Sequence, residues 1–298
     1  MTAIVLGSAA GGGFPQWNCL CAVCRLAWAG DRRVKPRTQA SLAVSADGEA
    51  WVLLNASPDL RAQLQATPEL HPRTPPRGSP IAAVILTGAE VDQTAGLLSL
   101  RERQPFALYA TAETQAALAI NPMLDVLASE VVSRTTVTPG ETLALPGGIE
   151  AELFTVPGKA PLYLEGDHGA VVREDGSNVG IELRAGGRRL LYVPGAAAVP
   201  APLQDRLKDA DVVLFDGTLF TDDEMIVTGT GAKTGLRMGH MPIDGDGGSL
   251  AALSGLKRRR IYIHINNTNP ILVDGAPERR KVEAAGWEIA EDGLRIAL

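Results

Sequence analysis

Three cysteines fall within six residues of one another, Cys19, Cys21 and Cys24, in the run NCLCAVC. The C-x-C-x2-C spacing gathers three thiols into one short stretch. Thiolates are good zinc ligands, and a closed structural zinc site takes four ligands. The expectation is therefore an N-terminal zinc knuckle around residues 17–26, with a fourth ligand from elsewhere; the plain alternative is three reduced cysteines in a loop. Thiols this close do not make a disulfide framework.

The remaining candidates sit at the ends of apolar strands. The chain has only four histidines. His264 ends the buried-looking strand of RRIYIHINNTNP, and the asparagines after it can orient a ligand. His240 lies in MGHMPI. Asp216 ends ADVVLFDGT, and a carboxylate closing an apolar strand needs a cap, a partner or a metal. In ILTGAEVDQTAGLLSLR, an apolar strand runs into a polar turn carrying Glu90, Asp92 and Gln93. Polar groups gathered at a strand end mark sites. On the residues alone, this turn reads equally as a metal site, an altered metal site or an ordinary loop. His71, among prolines, reads as surface, and His168, in EGDHGA, as a hairpin tip.

Strands and hairpins interleaved with helices must position these groups. A strand at 3–6 precedes the glycine-rich GSAAGGGFPQW, which lacks a phosphate-loop pattern. Residues 39–55 read as a hairpin turning at Asp47-Gly48. A helix follows, with Ser57 as N-cap and Pro58 at its first position. A proline-rich connection (71–80) leads to a strand at 81–86, a helix near 95–102, a strand at 106–111 and a further helix. Residues 131–156 alternate like a strand meander, and Gly186-Gly187 closes another hairpin. The acidic run after Phe220 reads as a helix capped at Thr221, and WEIAEDGLRIAL as a final hairpin. GTGAKTG does not meet the phosphate-loop requirements. So many hairpins favour a layered α/β protein with two mixed sheets over a plain βαβ array. No strong linker divides residues 1–298, which read as one domain.

Composition narrows the class. With 45% hydrophobic and 21% charged residues, the chain is of the soluble globular kind. A net charge of −6 argues against a nucleic-acid partner, and Lys257–Arg260 reads as a solvated surface run. Neither a secretory leader nor an apolar run of membrane-spanning length is evident, so no membrane partner and a cytoplasmic address are expected.

Taken together, LGSAAGGGFPQWNCLCAVC, LLNASPDLRAQLQA, DQTAGLLSLRERQPF, LFDGTLFTDDEM, TGLRMGHMPI and HINNTNPIL resemble the PqqB family of the pyrroloquinoline quinone (PQQ) pathway, end to end. That resemblance implies a metallo-β-lactamase-like α/β fold, a four-layer αββα sandwich of two mixed β-sheets with a metal site at the sheet edges. It also implies where the superfamily's metal ligands would stand. Gly88 and Glu90 occupy the first two histidine places of the H-x-H-x-D-H turn, Asp92 matches the aspartate, and Gln93 replaces the last histidine. His264 matches the final histidine ligand and His240 a reaction-centre histidine. Gly195 stands where hydrolases place a bridging aspartate. Asn267 occupies the place of the histidine that completes the knuckle in related phosphodiesterases.

The activity implied is hydroxylation of the tyrosine ring of a cross-linked Glu–Tyr intermediate cut from a precursor peptide. The cofactors implied are a structural Zn(2+) and an active-site Fe(2+). The iron ligands would be Asp92 and His264, with Gln93 or Glu90 as further candidates; Asp92, His240 and Asp216 form the catalytic set. One metal with a two-histidine, one-carboxylate face suits Fe(II) and dioxygen, whereas dinuclear hydrolysis wants about six ligands. A non-catalytic carrier or transporter of PQQ or its precursor is the second reading, and a hydrolase the third. Arg101, Lys233 and Arg237 are candidate partners for substrate carboxylates by charge type. The expected partner is the small-molecule precursor; contacts with other pathway proteins and a homodimer are compatible with the sequence.

Overall fold

Strands here are read from alternation, and the structure shows why so many have apolar residues at every position. The structure, a computed structural model, describes residues 1–165 and 172–298. His168, read as a hairpin tip, lies outside the described residues. The strands are β1 (Thr2–Gly7), β2 (Ser41–Ser45), β3 (Trp51–Leu54), β4 (Ile81–Ile85), β5 (Phe106–Ala110), β6 (Val132–Thr136), β7 (Thr142–Leu145), β8 (Ile149–Thr155), β9 (Val179–Ala185), β10 (Arg188–Val193), β11 (Val212–Asp216), β12 (Arg259–Ile263), β13 (Glu288–Ile289) and β14 (Arg295–Ala297). Among the described residues they form two seven-stranded sheets, in the orders β14-β1-β2-β3-β4-β5-β6 and β13-β12-β11-β10-β9-β8-β7. Both sheets are mixed: β3 to β6 run parallel, as do β10 to β13, and the hairpin strands pair antiparallel.

The helices are α1 (Ala22–Trp28), α2 (Leu60–Ala66), α3 (Val91–Thr94), α4 (Ala112–Ala119), α5 (Ala201–Lys208), α6 (Glu224–Val227), α7 (Ser249–Ala252) and α8 (Pro277–Ala284). The core divides into three apolar clusters, one for each gap between four layers. Leu42, Leu54 and Ile85 of the first sheet meet Ile181, Tyr192 and Leu214 of the second between the sheets. Leu53, Val84 and Leu108 face outward onto Leu60, Leu97 and Leu118. Leu191, Val213 and Phe215 face the other way, onto Leu203, Leu253 and Val282. Successive residues of β10 thus enter different clusters, because side chains alternate across a strand and here both faces are covered. The αββα sandwich implied by the resemblance is present, as are the two mixed sheets read from the hairpins.

Several local expectations need correction. Helix α2 begins at Leu60, after the Asp59 position, and not at Ser57; the Ser57 hydroxyl instead donates to Gln63 Oε1 at 3.0 Å. The segment expected as one helix near 95–102 is α3 followed by a 3-10 turn over Ala95–Leu100. The cap before α6 is Asp223, to whose carboxylate the Thr221 hydroxyl donates. The meander over 131–156 is shared between sheets, with β6 in the first and β7 and β8 in the second. The final hairpin does not form: β13 pairs with β12, and β14 with β1. The intervening stretch crosses between sheets and is tied down by Asp292, which accepts from the Ser8 and Thr38 hydroxyls at 2.8 and 2.7 Å. Among the described residues, no helix is long and apolar enough to cross a membrane.

Candidate metal centre

The parallel strands aim their carboxyl ends at one edge of the sandwich, the usual place for a site in open α/β sheets. The turn after β4 delivers Glu90, Asp92 and Gln93. Strand β11 ends in Asp216, β12 runs into His264, and the segment after α6 brings His240. His264 has φ +59°, one of three non-glycine residues with positive φ among those described. Such a backbone is sparsely populated by side-chain-bearing residues, and clusters at functional sites.

Side-chain contacts fix the orientation of each group. Thr218, two residues beyond Asp216, places its hydroxyl oxygen 2.6 Å from Asp216 Oδ1 and 2.8 Å from His264 Nδ1. With its single proton donated to the carboxylate, that oxygen accepts from His264 Nδ1–H. His264 Nε2 is then the free ring position, and it lies 2.8 Å from Asp92 Oδ2. On the other side, His240 Nδ1 donates to Asp216 Oδ2 at 2.8 Å, which leaves its Nε2 lone pair open. Asp216 is fully buried and also accepts from the Ala196 N–H at 2.9 Å. The two imidazoles stack, with ring centroids 5.1 Å apart.

The electrostatics follow from these pairs. Burial alone would raise both aspartates and depress His264. The hydrogen bond and charge of His264 instead hold Asp92 below the usual carboxylate range, and His240 does the same for Asp216. Asp92, in turn, holds His264 above the ordinary histidine value. Asp92 Oδ2 and His264 Nε2 therefore converge on one small volume, each needing a cation between or upon them. A proton serves, and so does a metal: two donors about 2.1 Å from one ion at right angles sit about 3 Å apart. These residues fit a single first-row ion.

The donors open onto a cavity of about 380 Å³ lined by Glu90, Asp92, Gln93, His240 and His264, with Met225, Met238 and Leu162 as apolar wall. Gln93 Oε1 accepts from the Glu90 N–H at 3.1 Å, so its amide oxygen caps α3. Glu90 is held by Lys159 Nζ at 2.7 Å. Gly88 and Gly195 flank the donors without contributing any. A Cβ at Gly195 would lie 3.2 Å from His240 Cε1, and one at Gly88 would meet Gln93 Oε1 at 2.7 Å.

Of the sequence-derived candidates, Asp216, His240 and His264 lie close enough to share one ion, Asp92 joins them through His264 Nε2, and Lys233 lines the same cavity. Arg237 is exposed and does not line it; Arg101 sits beyond the 3-10 turn, donating to Leu98 O, also outside the cavity. Sequence reasoning missed Thr218, Lys159 and Asn178, whose side-chain amide donates to Gly195 O at 2.9 Å. Thr218 alone had a local signal, its position just past Asp216.

A second donor cluster lies behind the same loop. Asn267, three residues after His264, points its side-chain amide at Cys19 Sγ (3.2 Å) and Cys24 Sγ (3.3 Å). The Cys21 and Cys24 N–H groups each donate to a preceding sulfur at 3.4 Å, which favours thiolates. Burial pushes the Cys24 thiol up to about 12, so an unpartnered thiolate is unfavourable there and a cation would relieve it. The three sulfurs lie close enough to share one ion. Which amide atom of Asn267 faces them is set by what they hold, and its oxygen can serve as a fourth donor.

Comparison with known proteins gives one consistent result. Residues 50–265 match the beta-lactamase superfamily domain. The chain is 56% identical to coenzyme PQQ synthesis protein B of Methylobacterium nodulans and 54% identical to that of Rhizobium meliloti, covering 100% and 97% of those proteins and at least 99% of this chain. The crystal structure of Zn(2+)-bound PqqB from Methylobacterium extorquens, 53% identical, superposes with a TM-score of 0.98 over the whole of both chains. A diphosphatase of the PhnP family, 22% identical with a TM-score of 0.69 over 99% of this chain and 96% of its own, shares the fold.

Proposed function

This chain belongs to the coenzyme PQQ synthesis protein B family of the beta-lactamase superfamily, and on that premise we propose that it performs an oxidative step in making PQQ. The step is hydroxylation of the tyrosine ring of a cross-linked Glu–Tyr precursor, with ferrous iron as cofactor; one atom of dioxygen enters the ring, and the other leaves as water with two electrons from an external reductant and two protons. The observation that carries this reading is the convergence of Asp92 Oδ2 and His264 Nε2 at 2.8 Å, beside His240 and at the floor of the cavity. With Gly88 and Gly195 offering no donor, the donor set suits one metal with open positions and not two.

Asp92 and His264 would hold the ion, with the stacked His240 ring as the adjacent imidazole. Bound there, a ferrous ion supplies the one-electron chemistry that lets dioxygen react with an aromatic ring. Asp216 keeps His240 in the tautomer that presents Nε2, and Thr218 does the same for His264. The methionines and Leu162 give the ring an apolar wall. The cysteines, with Asn267, would hold a structural zinc, a reading supported by the Zn(2+)-bound relative. The address expected is the cytoplasm.

A carrier of PQQ or its precursor is the second reading, favoured by Gln93, whose oxygen is already engaged by the Glu90 N–H. Purified protein reconstituted with Fe(II) under nitrogen and given precursor, dioxygen and a reductant separates the two. Turnover that needs iron and is lost in Asp92→Asn and His264→Ala supports the oxygenase. Tight binding of PQQ with no iron uptake in the parent chain supports the carrier.

A further inference from the structure

Lys159 follows β8 through Pro157 and Gly158, and nothing in the sequence marks it. Its stem lies against Gly239, where an added Cβ would sit 3.1 Å from Lys159 Cγ, so it runs alongside the residue preceding His240. Its side chain is 12% exposed, and its ammonium lies 2.7 Å from Glu90 Oε1 and 3.0 Å from Glu165 Oε1. Glu165 in turn reaches Lys233 at 3.1 Å. Glu90, Lys159, Glu165 and Lys233 thus form a chain of ion pairs alternating in sign. Among the described residues, Lys159 and Lys233 are the two lysines that line the cavity, and no arginine does. Burial would depress the Lys159 ammonium, yet Glu90 and Glu165 hold it above the usual lysine value.

A half-buried ammonium beside the reaction centre, holding carboxylates that belong to the protein, is built to exchange them. We propose that Lys159 is the residue that selects carboxylates in this cavity, with Lys233 as its outer partner and Glu90 as the internal carboxylate that an incoming one displaces. The ligand class is an aromatic small molecule carrying two or more carboxylates. The inference rests on the reading of this cavity as the substrate site. Glu90 then has a task that needs no metal: it keeps Lys159 aimed inward, and through the Leu162 N–H at 3.2 Å it draws the 160–165 segment to the mouth. Ligand binding frees it from Lys159.

The test uses the full-length protein with its cysteine-site zinc in place and no iron added, and two probes, PQQ, which is a tricarboxylate, and its trimethyl ester, titrated by fluorescence. Lys159→Met should weaken PQQ roughly ten- to a hundredfold, the range of one charge-assisted hydrogen bond, while the ester shifts by less than about twofold. Lys159→Arg should retain PQQ within a few-fold. Glu90→Gln should tighten PQQ, because the internal competitor is gone. Equal losses for PQQ and ester in Lys159→Met, no loss in it, or weaker PQQ binding in Glu90→Gln would each overturn the proposal. Iron uptake is measured on the same variants. If iron fails to bind while Lys159 still selects PQQ over its ester, the oxygenase reading fails and the carboxylate site stands.

Discussion

The two donor clusters share a loop and differ in what they can exchange. The cysteine cluster is soft, contributes three sulfurs, and is covered by Asn267. The Asp92–His264 cluster is hard and mixed, and faces a cavity that admits a small molecule. Residues 264–269 serve both: His264 and Asn266 look into the cavity, Asn267 faces the cysteines, and Asn269 ties the loop to Gly217 O at 3.0 Å. A site whose ligands are supplied by the protein on every side is one for stability; a site with an open face is one for chemistry. On the proposed reading, the loop joins a structural site to a reactive one.

Four changes would break or sharpen that contrast. The largest effect is expected from Cys24→Ser, since Cys24 is fully buried and one thiolate of three. Zinc should be lost, and stability should fall by about 3 kcal/mol or more in denaturant titration, with iron binding declining only as a consequence. A zinc-free variant as stable as the parent contradicts the division of labour. Next is Asp216→Asn. Oδ2 accepts from the Ala196 N–H and His240, and Oδ1 from the Thr218 N–H and hydroxyl, so in either rotamer the amide NH2 faces two groups it cannot accept from, and the orientation of His240 or of Thr218 and His264 is lost. Iron affinity should drop about ten- to a hundredfold while zinc content stays unchanged. Loss of both metals together would show that the clusters are not separable.

Gln93→His should raise iron affinity by about tenfold, because an imidazole replaces a neutral amide, partly offset by the lost cap of α3. An unchanged affinity would place residue 93 outside the ion's reach. The smallest effect is one of pH on the iron-free protein that keeps its cysteine-site zinc. The raised His264 stabilises the fold below the ordinary histidine value, and this contribution is lost as pH rises through its folded value. The lowered Asp92 contributes above the ordinary carboxylate value and loses its part as pH falls through its folded value. Melting curves of iron-free, zinc-containing protein should therefore fall off as pH rises above the ordinary histidine value, whereas the iron-loaded protein should not, since the ion stands in for the proton. Identical profiles would show that the pair holds no ion.

The sequence made some of this legible and not the rest, for physical reasons. Cys19, Cys21 and Cys24 are local in the chain, so spacing alone assembled them. Asp92, Asp216 and His264 each end or follow an apolar strand, and buried polar groups at strand ends announce themselves. The hairpin at Gly186-Gly187 was readable because both glycines must take positive φ, as they do at +58° and +73°. Lys159 was not legible, because its role comes from Glu90, 69 positions away in the chain. The split of β13 and β14 between sheets was hidden for the same reason: a hairpin is written locally, but Asp292 binding Ser8 and Thr38 is not. Gln93 was read from the family resemblance as a substituted ligand, and the structure adds a local task for it that a helix start always offers.

The central claim is that two different metals divide these clusters between them. Anomalous scattering from a crystal grown with Fe(II), recorded on both sides of the iron and zinc edges, tests it directly. Zinc at Cys19, Cys21 and Cys24 with a single iron between Asp92 and His264 is the predicted result. Two ions at Asp92 and His264, or none there with iron in excess, would contradict it.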